Sequence, residues 1–233
     1  MVIVITLSPK KTNRKTHPSG ADVSVSRKQP AGTDLYRHYL TWTVASNLNL
    51  ARAFYTHPKI LVTALNGPVI GMSAAMIAYS DFIYATPKTY LQTPFASLGL
   101  VAEGGSSAAF VERMGIGKAN KALIQGRRLD AAELAGCGFV DRVFDDVDGS
   151  DDEAFKRVVL DEIKDGLLGD HLNGESMLKI KALIRGKQRR ELNAQNVEEV
   201  FEVLGRNVAG IPQQQFEKMR NRKRGAKTDD SKL

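Results

Sequence analysis

The chain has 233 residues, 42% of them hydrophobic and 25% charged, with a formal net charge of +7 and a single cysteine, Cys137. That length can bury a full core and favours one domain plus an appendage. One cysteine excludes an intrachain disulfide and argues against a secreted, bridge-stapled fold.

In chain order, VIVITL (2–7) is a run of β-branched and aliphatic residues and reads as a buried strand. A polar, basic connection follows to about Pro18. Residues 34–56 place Leu35, Tyr39, Trp42, Ala45, Leu48 and Ala53 at mostly helical spacing, ending at His57-Pro58. KILVTALNG (59–67) is a strand closed by Asn-Gly, and GMSAAMIAYS (71–80) is a buried helix. DFIYAT and TYLQT are short strands, SAAFVERMGI is a helix, and DAAELAGCGFVDRVF reads as helix, turn and strand. No apolar run approaches the roughly 18–20 residues that span a bilayer, so no membrane span is expected. Strands alternating with helices predict an α/β domain. From about residue 150 the pattern changes to amphipathic helices with no strands between them. Three regions result: a core over 1–145, a helical region over 146–217 and a flexible basic tail over 218–233.

The positive charge concentrates in residues 8–15, 184–190 and 218–227. No aromatic residues are interleaved there to stack bases, so these runs read as solvated surface and no nucleic-acid partner is expected. They also suit attraction toward an anionic ligand. The four histidines show no metal-ligand spacing. The chain closes on Ser231-Lys232-Leu233, the address read by the peroxisomal import receptor, which predicts peroxisomal localisation.

One carboxylate stands out. Glu103 lies in LGLVAEGGSS (98–107), between apolar residues and two glycines. Taken alone it has two readings: a solvated loop residue, since Glu is rarely buried, or a base held in a dry cleft.

PSGADVS (18–24), NGPVIGMSAAM (66–76), SDFIYAT, LQTPFASLGLVAEGGSS and GRRLDAAELAGCGFVDRVF occur in that order. Together they resemble the crotonase (enoyl-CoA hydratase/isomerase) superfamily, and within it the peroxisomal delta-3,delta-2-enoyl-CoA isomerases. The resemblance implies a crotonase-like spiral of ββα repeats with a C-terminal helical oligomerisation region, assembled as a homotrimer or hexamer. It implies a fatty acyl-CoA substrate and no separate cofactor, coenzyme A being part of the substrate. Ser19, Gly20, Ala21, Asp22, Val23, Gly71 and Met72 fall on its substrate-binding segments, with the amides of Ala21 and Met72 as the oxyanion hole. Such donors suit chemistry that builds negative charge on a thioester oxygen.

The resemblance also resolves Glu103. The two glutamates of the family's hydratases would fall at Ala75 and Phe95, neither of which can carry a proton. The isomerases place a single base in the segment matching Glu103, which would move a proton from carbon 2 of a 3-enoyl thioester to carbon 4. Asn47 matches an asparagine near that base and would orient Glu103 or a water; a solvent-facing helix residue remains the other reading.

The sequence departs from the family ahead of residue 18, where VIVITL resembles only the last of the family's early strands. A shortened core of this kind would expose sheet edge and apolar surface. Two alternatives therefore stand beside the isomerase: a non-catalytic acyl-CoA-binding relative, and another crotonase-type enzyme, either a hydratase or a dienoyl-CoA isomerase.

Overall fold

The computed structural model describes residues 2–8, 29–147 and 149–229, with backbone alone for 222–229. The expected substrate segment Ser19–Val23 and the terminal Ser231–Leu233 lie outside the described residues.

Two small sheets carry the core. Strands β1 (Val2–Leu7), β2 (Ile60–Leu65), β4 (Phe82–Ala85) and β7 (Arg142–Val143) form one sheet in the order β1-β2-β4-β7, every pair parallel. Strands β3 (Pro68–Ile70), β5 (Tyr90–Gln92) and β6 (Leu129–Asp130) form the second, with β3 and β5 parallel and β6 antiparallel to β5. The chain visits them in a repeating order. β2 lies in the first sheet, β3 in the second, and helix α3 (Met72–Ile77) follows; β4, β5 and helix α4 (Ser106–Leu123) repeat the path. This is the expected ββα spiral.

The sequence dictates much of this locally. β2 is buried at every position, and its one hydroxyl, Thr63 Oγ1, lies 2.7 Å from Ser80 Oγ. Asn66-Gly67 ends the strand, with Gly67 at φ 136°. β1, expected to be buried, is half-buried over most of its length, because it stands at the sheet edge among the described residues.

Helix α1 (Leu35–Tyr39), a π-helical turn (Leu40–Val44) and helix α2 (Ala45–Tyr55) form one continuous rod. The π turn widens the apolar spacing, so Tyr39 and Val44, five residues apart, are both buried while Trp42 is 69% exposed. Regular helical spacing had placed Trp42 inward.

Helix α5 (Ala131–Gly136) is capped by Asp130, whose side chain accepts from Glu133 N–H at 2.8 Å. Helix α6 (Asp152–Leu167) covers the first sheet with Phe155, Val159 and Ile163. Helix α7 runs unbroken from Gly174 to Val208, 35 residues, where GESMLKIKALIRG (174–186) and NVEEVFEVLGRNV (196–208) read from the sequence as separate amphipathic helices. Its polar middle, RGKQRRELNAQ, is rich in strong helix formers and does not break it. Helix α8 (Ile211–Asp229) continues through most of the segment expected to be a flexible tail.

Buried charge holds α7 to the core. Asp81 accepts Lys181 Nζ at 2.6 Å and Arg185 at 3.3 Å, and its Oδ2 also accepts Leu61 N–H at 2.8 Å. Further along, Val200 and Leu204 pack against Tyr39 and Val44. No described helix is long and apolar enough to cross a membrane.

Candidate functional site

The site is built where the first turn of α3 meets the loop ahead of α4. Gly71 caps α3 with φ 64° and ψ −133°, a backbone shape that favours glycine. Its N–H donates to Gln92 O at 2.8 Å, which fixes the β3–α3 turn against β5. Gly71 O accepts from Ala74 and Ala75 at 3.0 and 3.2 Å. The amides of Met72 and Ser73 therefore precede the first intrahelical donors and face out of the helix end.

The facing loop is shaped by glycines. Gly99, at φ 71°, ends a short 3₁₀ turn (Ala96–Leu98), and its carbonyl accepts from Arg206 Nε at 2.5 Å. Glu103 is half-buried, and its backbone carbonyl accepts Ser106 N–H at 3.2 Å. Gly104 and Gly105 follow at φ 69° and 73°, two successive left-handed residues that turn the chain into α4. A β-carbon on Gly104 would lie 2.5 Å from Met76 Cε and 3.1 Å from both Met72 Sδ and Met72 Cε. The glutamate's neighbour thus sits directly on α3.

The structure therefore brings together three of the residues singled out from sequence: Gly71, Met72 and the segment of Glu103. Asn47 is half-buried in the first turn of α2, a helix that packs on α3 and α7. Ala75 and Phe95, the positions matching the hydratase glutamates, are both buried and apolar. Glu112, on α4, is exposed and accepts from Gln188 of α7.

Two residues here were not anticipated. Tyr79 donates its hydroxyl to Gly104 O at 2.5 Å. Burial, reinforced by nearby Glu199, pushes the phenol well above its ordinary range, so it stays protonated as a donor. Glu199, on α7, is 5% exposed and accepts Gly105 N–H through Oε2 at 2.5 Å and Ser107 N–H through Oε1 at 2.8 Å. Burial raises its pKa, and hydrogen bonding from Ser107, through side chain and backbone, and from the Gly105 and Ser106 amides pulls partly the other way. The available signal was phase: Leu192, Asn196, Glu199 and Val203 fall on one buried stripe of α7. Among the described residues no group of acidic, histidine or cysteine side chains could hold a metal ion.

With this geometry in view, comparison places the chain in a class. A family model described as enoyl-CoA hydratase/isomerase matches residues 14–204, and the chain belongs to that family. It is 53% identical over 211 residues to the Delta(3,5)-Delta(2,4)-dienoyl-CoA isomerase of Pyricularia oryzae, covering 86% of this chain and 75% of that protein. It is 32% identical over 212 residues to the 3,2-trans-enoyl-CoA isomerase of Saccharomyces cerevisiae, covering 88% and 75%. The solved structure of Pseudomonas aeruginosa OdaA matches with a TM-score of 0.73 at 22% identity, over 94% of this chain and 79% of that one, a likeness of fold.

Proposed function

We propose that this protein is an enoyl-CoA isomerase that moves a carbon–carbon double bond relative to the thioester, with Glu103 as the proton carrier. One observation carries the reading: the loop of Glu103 is seated on the first turn of α3, whose leading amides face out of the helix. A carboxylate beside outward-facing N–H groups is the minimum needed to form and hold an enolate. The names of the relatives in Pyricularia oryzae and Saccharomyces cerevisiae support an isomerase over a hydratase. So do Ala75 and Phe95, which offer no acid–base pair for adding water.

Within isomerases the proposed reaction is 3-enoyl-CoA to 2-trans-enoyl-CoA, a step in the β-oxidation of unsaturated fatty acids. Glu103 takes a proton from carbon 2, the negative charge spreads to the thioester oxygen, and the protonated acid returns the proton to carbon 4. The amide of Met72, with that of Ala21, receives the oxygen's charge. Each such donor is typically worth about 3–4 kcal/mol of barrier. Asn47 orients Glu103 or its water. A second reading, dienoyl-CoA isomerisation, is favoured by the 53% identity to an enzyme of that name. That reaction delivers its proton to carbon 6, farther than one carboxylate serving carbons 2 and 4 need reach.

The distinguishing experiment gives purified protein trans-3-hexenoyl-CoA and a 3,5-dienoyl-CoA in parallel assays and follows each product spectrophotometrically. Faster turnover of the 3-enoyl substrate supports the proposal, and faster turnover of the dienoyl substrate supports the second reading. Acyl-CoA binding with neither turnover identifies a non-catalytic relative.

Ser231-Lys232-Leu233 supports a peroxisomal location through the import receptor. A fluorescent protein fused to the N-terminus should colocalise with a peroxisomal marker and become diffuse when those three residues are deleted. A homotrimer or hexamer is part of the same proposal, supported by apolar residues of α7 that face solvent.

A further inference from the structure

We propose that Glu199 is a positioning residue for the base: from helix α7 its carboxylate holds the Gly105 and Ser107 amides and thereby sets where Glu103 stands. This inference rests on the isomerase reading of Glu103 given above.

The argument starts with the turn. Two successive left-handed glycines, Gly104 and Gly105, bring the Glu103 loop against Met72 and Met76. Glycine pairs reach such shapes easily and leave them as easily, so the turn needs outside holds. The N-terminus of α4 also needs a cap. Asp151 and Asn173 cap α6 and α7 with their own side chains, as Asp130 caps α5. Gly105, at the equivalent position of α4, has no side chain to do so.

A local cap is excluded by the same turn. Residue 105 sits at φ 73°, and a β-carbon there would fall on the Tyr79 hydroxyl. Ser or Asp at 105 would therefore displace the loop. The donors are met from elsewhere, by a carboxylate 94 residues along the chain that takes one N–H on each oxygen. Both bonds are charge-assisted, and burying that charge is costly unless it is held in this way.

Tyr79 completes the hold from the other side. Its hydroxyl binds Gly104 O, so one peptide unit is gripped at its carbonyl from the turn after α3 and at its N–H by α7. The glutamate proposed as base is the residue immediately before that grip. Glu199 itself is almost wholly buried with both oxygens engaged. It acts through the loop and not on substrate. A displacement of about 1 Å at a reacting group can cost on the order of 10²-fold in rate, so a link of this kind has kinetic weight.

The test compares wild type with Glu199→Gln and Tyr79→Phe in the full chain. Glutamine keeps the shape but turns one acceptor into a donor that opposes a backbone N–H. With trans-3-hexenoyl-CoA, Glu199→Gln should lower kcat per folded protein about 10-fold or more, with KM nearly unchanged. Hydrogen exchange of the peptide covering residues 100–107 should speed up in both variants, while β2 stays protected. A purely structural role would lower the folded fraction yet leave kcat per folded protein intact, and that result overturns the inference. If Glu199→Gln does not fold, Tyr79→Phe reads the same grip from its other side. If wild type turns over neither acyl-CoA, the isomerase reading fails and with it the kinetic claim. Exchange at 100–107 then tests the grip alone, and unchanged exchange refutes that too.

Discussion

Met72 and Gly104 leave no room between them for a side chain: a β-carbon on Gly104 would lie 3.1 Å from the Met72 sulfur. The helix end proposed to receive negative charge and the loop proposed to carry the base are thus one packed unit. Alanine at Gly104 should expose this dependence. It meets both an unfavourable left-handed backbone, costing about 1–2 kcal/mol, and Met76 Cε at 2.5 Å. Gly210→Ala is the comparison, since Gly210 has φ 72° but no atom near its missing side chain. Thermal unfolding should show Gly104→Ala as the more destabilised, and turnover should fall only in Gly104→Ala. Equal effects on both measures would mean that the contact with α3 has no consequence.

Glu199 predicts a pH dependence of stability with a definite sign. Burial raises its pKa in the folded state above that of the unfolded chain. The folded protein then holds this proton more tightly, so the group's contribution is full below the unfolded value of about 4.3 and is lost as pH rises through the folded value. Glu199→Gln does not titrate there. The stability of wild type minus that of Glu199→Gln should therefore increase as pH is lowered from neutral toward about 4. Denaturant melts of both proteins across that range measure it, and a difference that shrinks on acidification contradicts the assignment.

Much of this site was legible in the chain, for reasons that can be traced to particular residues. Gly67, Gly71, Gly104 and Gly105 mark turns whose backbone shapes favour glycine, and all four appear where the motif places them. Strand β2 was plain from an aliphatic run interrupted only by Thr63. The misreadings arise where tertiary context overrides a local pattern. Trp42 fits a regular helix, but the π turn at Leu40–Val44 shifts the inward face to Tyr39 and Val44. Residues 187–195 look like a break between helices because all but Leu192 and Ala194 are polar, yet that polarity only means a solvated face of α7, with Leu192 turned inward. Glu199 was hidden because its partners are backbone amides more than 90 residues away, and no spacing rule connects them.

The exposed face of α7 leads to a prediction about assembly. Ile180, Leu183 and Ile184 are all exposed, Leu183 at 80%, and they lie within two turns of the helix. Exposed apolar clusters of this sort mark association surfaces. Light scattering at micromolar concentration should report an oligomer, with a trimer the expected species. Leu183→Glu should shift it toward monomer. A monodisperse wild-type monomer would contradict the assembly.

The role of Glu103 is the central claim, and kcat of Glu103→Gln is its most direct measurement. Glutamine preserves the shape of the side chain but cannot take the proton from carbon 2. Turnover of trans-3-hexenoyl-CoA should fall at least ~10²-fold while acyl-CoA affinity changes little. Glu175→Gln, at an exposed pair with Lys179 on the first turn of α7, should match wild type. Wild-type-like turnover in Glu103→Gln would contradict the account outright.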